Sequence, residues 1–127
     1  MSQRLIELNS DDLNRYYKDF SDYRLWKQLS QKKILSGDMD AALDYLRNGI
    51  RQIPRNHDLL YNYAVVNEKL GNYHIAIKHF KYGQQVNPEN ADNYYGEAIA
   101  QFKICEFKLA RKAIKAAVNI VSPETET

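Results

Sequence analysis

The chain repeats itself at a fixed interval. The stretches SGDMDAALDYLRNGIRQIPRN, ending at Asn56, and GNYHIAIKHFKYGQQVNPEN, ending at Asn90, align on Gly37 and Gly71, 34 residues apart. Ala76 then falls on Ala42, Phe80 on Leu46, Gly83 on Gly49 and Pro88 on Pro54. A second shift of the same size carries Ala76 to Ala110, Phe80 to Ile114 and Gly83 to Ala117. Upstream, Trp26, Leu60 and Tyr94 share one position. A period of this size marks stacked supersecondary units, each of which buries its apolar face only against its neighbours.

Each unit reads as two helices. Leu25, Trp26 and Leu29 lie at helical spacing, and Gly37 ends that helix, because a left-handed terminal residue is least strained as glycine. Asp38 is placed to cap a second helix whose apolar face is Ala42, Tyr45, Leu46 and Ile50. Pro54 stops it and Asn56 caps the next. Gly71, Asn72, Pro88 and Asn90 hold the same posts one period later. The spacing predicts three repeats, at 23–56, 57–90 and 91–123, with 124–127 as a disordered tail. Gly49 and Gly83 stand inside helices at one phase. Such glycines cost about 1 kcal/mol each against alanine, which points to close helix approach there.

Residues 1–22 fall outside the repeat. Ser10, Asp11 and Asp12 look like a helix start, with Leu13, Tyr16, Tyr17 and Phe20 following at helical spacing and Ser21 placed to cap the next helix. This segment is expected to form an extra N-terminal helix, covering repeat one or lying in a groove.

The pattern resembles the tetratricopeptide repeat family over about four-fifths of the chain. Trp26, Leu29, Ala42, Leu46, Gly49 and Pro54 carry it in the first repeat. Leu60, Tyr63, Ala64, Gly71, Tyr73, Ala76, Phe80, Gly83 and Pro88 carry it in the second. The third departs: Cys105 replaces the turn glycine, and Pro123 comes one position late. The resemblance implies an all-α, right-handed superhelical solenoid of antiparallel helix pairs that binds other proteins.

Little in the chain looks like catalysis. His74 and His79 are five apart and do not share a face as i, i+4 zinc ligands do. There is no glycine-rich phosphate loop, and Asp38, Asp40 and Asp44 sit near a helix N-terminus, where acids favour the dipole. No enzyme activity, metal or cofactor is expected. The net charge of +2 is near balance, so no nucleic-acid footprint is indicated. No apolar run is long enough to enter a membrane as a span. The single cysteine, Cys105, fits a reducing compartment, so the chain reads as intracellular and cytoplasmic.

The resemblance also implies a binding groove lined by the first helix of each repeat. Carried over residue by residue, its wall is Lys27, Gln31, Tyr61, Asn62, Val65, Tyr95, Ile99 and Phe102. A strip of this aromatic and aliphatic character suits a peptide or an amphipathic helix. The family's clamp for an acidic C-terminal tail is matched only at Lys27 and Asn62, with Gln31 close to the required Asn. Asp92 stands where a lysine belongs and Gly96 where an arginine belongs, so a carboxylate would be repelled and would lose a bidentate contact.

The last helix, FKLARKAIKAAVNIV, shows two apolar stripes. Phe107, Ala110, Ile114, Ala117 and Val121 are expected to pack on the other helix of their repeat. Leu109, Ala113, Ala116 and Ile120 are expected to lack an intrachain partner and to associate with a second copy or another subunit. Lys108, Arg111, Lys112 and Lys115 beside them favour an acidic neighbour. The leading reading is a non-catalytic scaffold or adaptor. The alternatives are a structural subunit or fragment of a larger repeat assembly, self-association included, and, less favoured, a co-chaperone for an acidic tail.

Overall fold

The computed structural model describes residues 22–123. The expected N-terminal helix, the Ser21 cap and the tail lie outside the described residues. Within them the chain is all-helical: α1 Tyr23–Leu35, α2 Met39–Gln52, α3 His57–Lys69, α4 Tyr73–Val86, α5 Asp92–Lys103 and α6 Phe107–Val121. Each expected repeat span contains one pair of consecutive helices.

The three turns between paired helices share one construction. Gly37 and Gly71 take φ of +84° and +85°. Asp38 N–H donates to Lys33 O at 2.8 Å and Gly37 N–H to Ile34 O at 3.0 Å, the double closure of a Schellman motif. Asn72 and Gly71 repeat both bonds onto Asn67 and Glu68. The third turn does the same without glycine. Cys105 itself adopts φ +64°, Glu106 N–H donates to Gln101 O at 2.9 Å and Cys105 N–H to Phe102 O at 2.9 Å. Backbone bonds define this turn, and an L residue fits at the cost of strain.

The helix starts vary more. Asp38 Oδ1 accepts from Ala41 N–H at 3.0 Å and Asn56 Oδ1 from Leu59 N–H at 3.0 Å, both as expected. Asn72 precedes α4 without capping it; its amide donates back to Asn67 Oδ1 at 3.1 Å. The cap of α1 is Asp22, whose Oδ1 accepts from Arg24 N–H at 3.0 Å. The Arg24 guanidinium, and after it that backbone bond, hold the Asp22 carboxyl below its ordinary range.

The described residues form two compact units, 22–59 and 60–123. In the first, α1 packs on α2 around Leu25, Trp26, Leu29, Ala42, Tyr45 and Leu46, all buried. Gly49 allows the close approach: a methyl there would stand 2.8 Å from Trp26 Cγ and 2.9 Å from its Cβ. In the second, Ala64, Ala76 and Phe80 form a core with Tyr61 and Val65 packed against it. Helix α5 packs on both α4 and α6. Gly83 sits under Asn93, where a methyl would lie 2.7 Å from Asn93 Cγ. A buried polar bridge reinforces this contact. Gln84 Nε2 donates to Glu97 Oε1 at 2.8 Å, and Gln101 Nε2 to Glu97 Oε2 at 3.3 Å. Glu97 and Gln101 are both buried, and two amides satisfy the carboxylate that burial would otherwise penalise.

Candidate protein-binding surface

Most of the residues expected to line a groove fall in the 60–123 unit. Tyr61 and Val65 project from α3, Tyr95 and Ile99 from α5. With Glu68, Lys69, Phe80, Asp92 and Gly96 they line a hollow of about 200 Å³. Tyr61 meets Phe80 edge to face, ring centroids 5.9 Å apart. Burial lifts the Tyr61 phenol above its ordinary range, and the neighbouring Asp92 carboxylate adds to the effect. Asn62 is half-buried on α3. Ile99 is 51% exposed and Phe102 61% exposed. Glu68 is engaged by Lys103, Nζ to Oε2 3.5 Å.

Lys27 and Gln31 belong to the 22–59 unit. Lys27 Nζ stands 3.5 Å from Asp58 Oδ2, an ion pair open to solvent, and Gln31 is exposed.

The two positions that departed from the acidic-tail clamp gain a structural reason. A Cβ at Gly96 would fall into the ring of Phe80, 2.7 Å from its Cδ1 and nearer still to the ring edge. Phe80 is 1% exposed and has nowhere to retreat. An arginine at 96 is therefore excluded by packing, and Asp92 beside Tyr61 supplies negative charge where the clamp needs positive.

The last helix corrects the expectation. Ala110 and Ala117 are buried, but Phe107, Ile114 and Val121 are 54%, 40% and 61% exposed, so the first stripe does not pack away along its length. In the second stripe Ala113 is 4% exposed, and Ala116 and Ile120 are half-buried. Leu109, Ala113 and Ala116 line a hollow of about 240 Å³ with Lys81 and Gln84 of α4 and Tyr94 and Glu97 of α5. Ala113 is thus not an uncovered surface residue.

The reason is visible one period earlier. In α4 it is Phe80 and Gly83 that meet the following helix, through Gly96 and Asn93. His79, the equivalent of Ala113, meets Tyr63 edge to face within its own pair, centroids 4.7 Å apart. The face that a following helix would cover therefore runs through Ile114 and Ala117. It was readable from the 34-residue alignment of Ile114 with Phe80. Ala98, Ile99, Phe102, Phe107, Ala110, Arg111 and Ile114 form a hollow of about 570 Å³ there. Phe102 and Phe107 brace it edge to face at 5.3 Å.

Among the described residues no group of three His, Cys, Asp or Glu side chains could hold a metal, and no helix is long and apolar enough to cross a membrane. No protein-family model matches the chain, and no curated protein does. Solved structures do. It is similar to the second TPR domain of Spaghetti (RPAP3), solved with the HSP90 peptide SRMEEVD, at 14% identity and a TM-score of 0.75, over 81% of this chain and 95% of that one.

The fold is that of a tetratricopeptide-repeat domain.

The first TPR domain of Spaghetti, bound to the same peptide, matches at 20% identity and a TM-score of 0.76, over 84% of each chain. MamA from Desulfovibrio magneticus RS-1 matches at 25% identity and a TM-score of 0.73. The match covers 80% of this chain and 57% of the MamA chain. The tetratricopeptide architecture explains why alanine and glycine recur where the helices of this chain cross.

Proposed function

We propose that the chain is a non-catalytic protein-interaction scaffold. It takes a peptide or an amphipathic helix along Tyr61, Val65, Tyr95, Ile99 and Phe102, and it associates through the face that α5 and α6 share. The observation that carries this reading is the run of large apolar side chains left open on α5 and α6, with Ile99, Phe102 and Phe107 each more than half exposed. Patches of this kind mark protein association sites. Tetratricopeptide folds are in general interaction modules rather than enzymes, and the solved neighbours that hold a peptide support the same class.

An acidic tail like the one those neighbours hold is not the expected ligand here, because Asp92 opposes it and Phe80 fills the place of the arginine. Two measurements test the reading. Titrating the peptide SRMEEVD onto the full chain is expected to give no saturable binding; tight, salt-sensitive binding would install the co-chaperone reading instead. A displayed library of random peptides is expected to yield binders that Tyr95→Ala weakens by about 1–3 kcal/mol, about five- to 150-fold in Kd, with helical circular dichroism unchanged. Loss of the helical signal on that substitution would place Tyr95 in the core and remove it from the binding wall.

A further inference from the structure

We infer that the hollow between α5 and α6 is a seat for one amphipathic helix that carries acidic residues beside its apolar stripe. The inference rests on the proposed association face and names its ligand class. The chain itself shows what covers such a face. Phe80 of α4 is 1% exposed because α5 lies across it, and α5 presents Gly96 and Asn93 to Phe80 and Gly83. The same positions of α6, 34 residues on, are Ile114 and Ala117. Ala117 is buried, yet Ile114 is 40% exposed and Val118 45% exposed. A second hollow, of about 560 Å³, shares Ile114 and continues along α6 through Lys115, Val118 and Asn119 to Ser122. The two hollows together follow α6, whose 15 residues span about 22 Å. A helix of three to four turns, about 16–22 Å, matches that track, and helix-in-groove docking reads such a seat through apolar anchors at i, i+3, i+4 and i+7.

Charge selects among helices. Residues 107–121 hold Lys108, Arg111, Lys112 and Lys115 and no acid. Arg111 lines the first hollow and Lys115 the second, and among the described residues neither has a carboxylate partner. Burying this face against a helix without acids would leave both cations desolvated and unpaired, which is costly. Asp or Glu on the flanks of the incoming helix removes that cost and speeds encounter. A second copy is disfavoured on the same ground. Two α6 faces would set cation against cation, and α1 of another copy, which holds no acid, would bring the exposed Lys32.

The test uses the full chain and a displayed library of 18-residue helix-forming peptides with randomised charged and apolar positions. The recovered peptides are expected to carry an i, i+3, i+4, i+7 apolar stripe flanked by Asp or Glu. A synthetic copy of one such peptide should lose at least tenfold in Kd on Ile114→Glu, and again on Arg111→Glu combined with Lys115→Glu. It should weaken as salt rises and be indifferent to Tyr95→Ala. Both exposed positions tolerate a charge, and an unchanged melting curve checks this; Val118→Glu serves as the second probe of the seat. Recovery of neutral or basic peptides, or binding that survives both Ile114→Glu and Val118→Glu, overturns the inference while leaving the scaffold reading in place. A concentration-dependent dimer mass in sedimentation, abolished by Ile114→Glu, would give the seat to a second copy and overturn it likewise. If neither library yields a binder, the scaffold reading itself falls.

Discussion

Gly49→Ala is the substitution whose sign the packing decides. At an open position inside a helix, glycine to alanine adds about 1 kcal/mol of stability. At Gly49 the new methyl would meet Trp26 Cγ at 2.8 Å, Trp26 Cβ at 2.9 Å and Leu59 Cδ1 at 3.1 Å. Carbon atoms rest at about 3.5–4.0 Å, so α1 and α2 would have to separate by several tenths of an ångström. A flexible side chain could swing aside, but the clash falls on the root of a tryptophan that is 1% exposed, and that root is fixed by the α1 backbone. Overpacking of this kind costs about 1–3 kcal/mol. Set against the gain in helix propensity, the expected net effect is a loss of about 1 kcal/mol. For a domain of this size that lowers the melting temperature by about 3–5 °C. Circular dichroism melts measure it, and the fluorescence of Trp26, the one tryptophan of the chain, reports the same site in urea titrations. A rise in melting temperature, or no change with unaltered Trp26 fluorescence, would refute the close-approach account of this glycine.

Cys105→Gly should stabilise the chain by about 0.5–1 kcal/mol, because glycine takes positive φ without the penalty an L residue carries; a lower melting temperature would show that the thiol contributes something the turn needs. Ala76→Leu, at a fully buried site against Phe80 and Ala64, should cost about 1–3 kcal/mol. His74→Ala, two residues away and exposed, should stay within about 0.5 kcal/mol. Equal effects of these two in thermal melts would mean that the repeat register is wrong.

The helix pairs were legible because their signals are local and recur. Gly37 and Gly71 mark turns whose backbone bonds span six residues, and Asp38 and Asn56 cap the helices directly after them. The turn at Cys105 was readable only by position, since its residue type argues against left-handed geometry. Legibility fell where a long-range choice was involved. Two apolar stripes run side by side on α6, and hydrophobic spacing alone does not say which one the preceding helices cover. The structure turns α6 so that Ala113 faces α4 and α5, while Ile114 and Val118 face outward. Composition hid Glu97 for a similar reason. A glutamate on a helix reads as surface, and Gln84 from the neighbouring helix, arriving at 2.8 Å, together with Gln101 of its own helix at 3.3 Å, makes a buried carboxylate tolerable.

The contact between Gly96 and Phe80 bears on how such a surface can change over generations. A lineage that acquired Gly96→Arg first would drive the new side chain into a buried ring and lose fold stability before gaining any affinity for a carboxylate. A lineage that shortened Phe80 first would open a core cavity, at about 3–5 kcal/mol, with no ligand to show for it. Asp92 would also have to reverse its charge. The two packing steps are harmful alone, and the benefit appears only when all three are together. Drift between this surface and a tail-binding clamp therefore has to cross a valley of unstable intermediates, and the fold can persist on either side while the recognised partner differs.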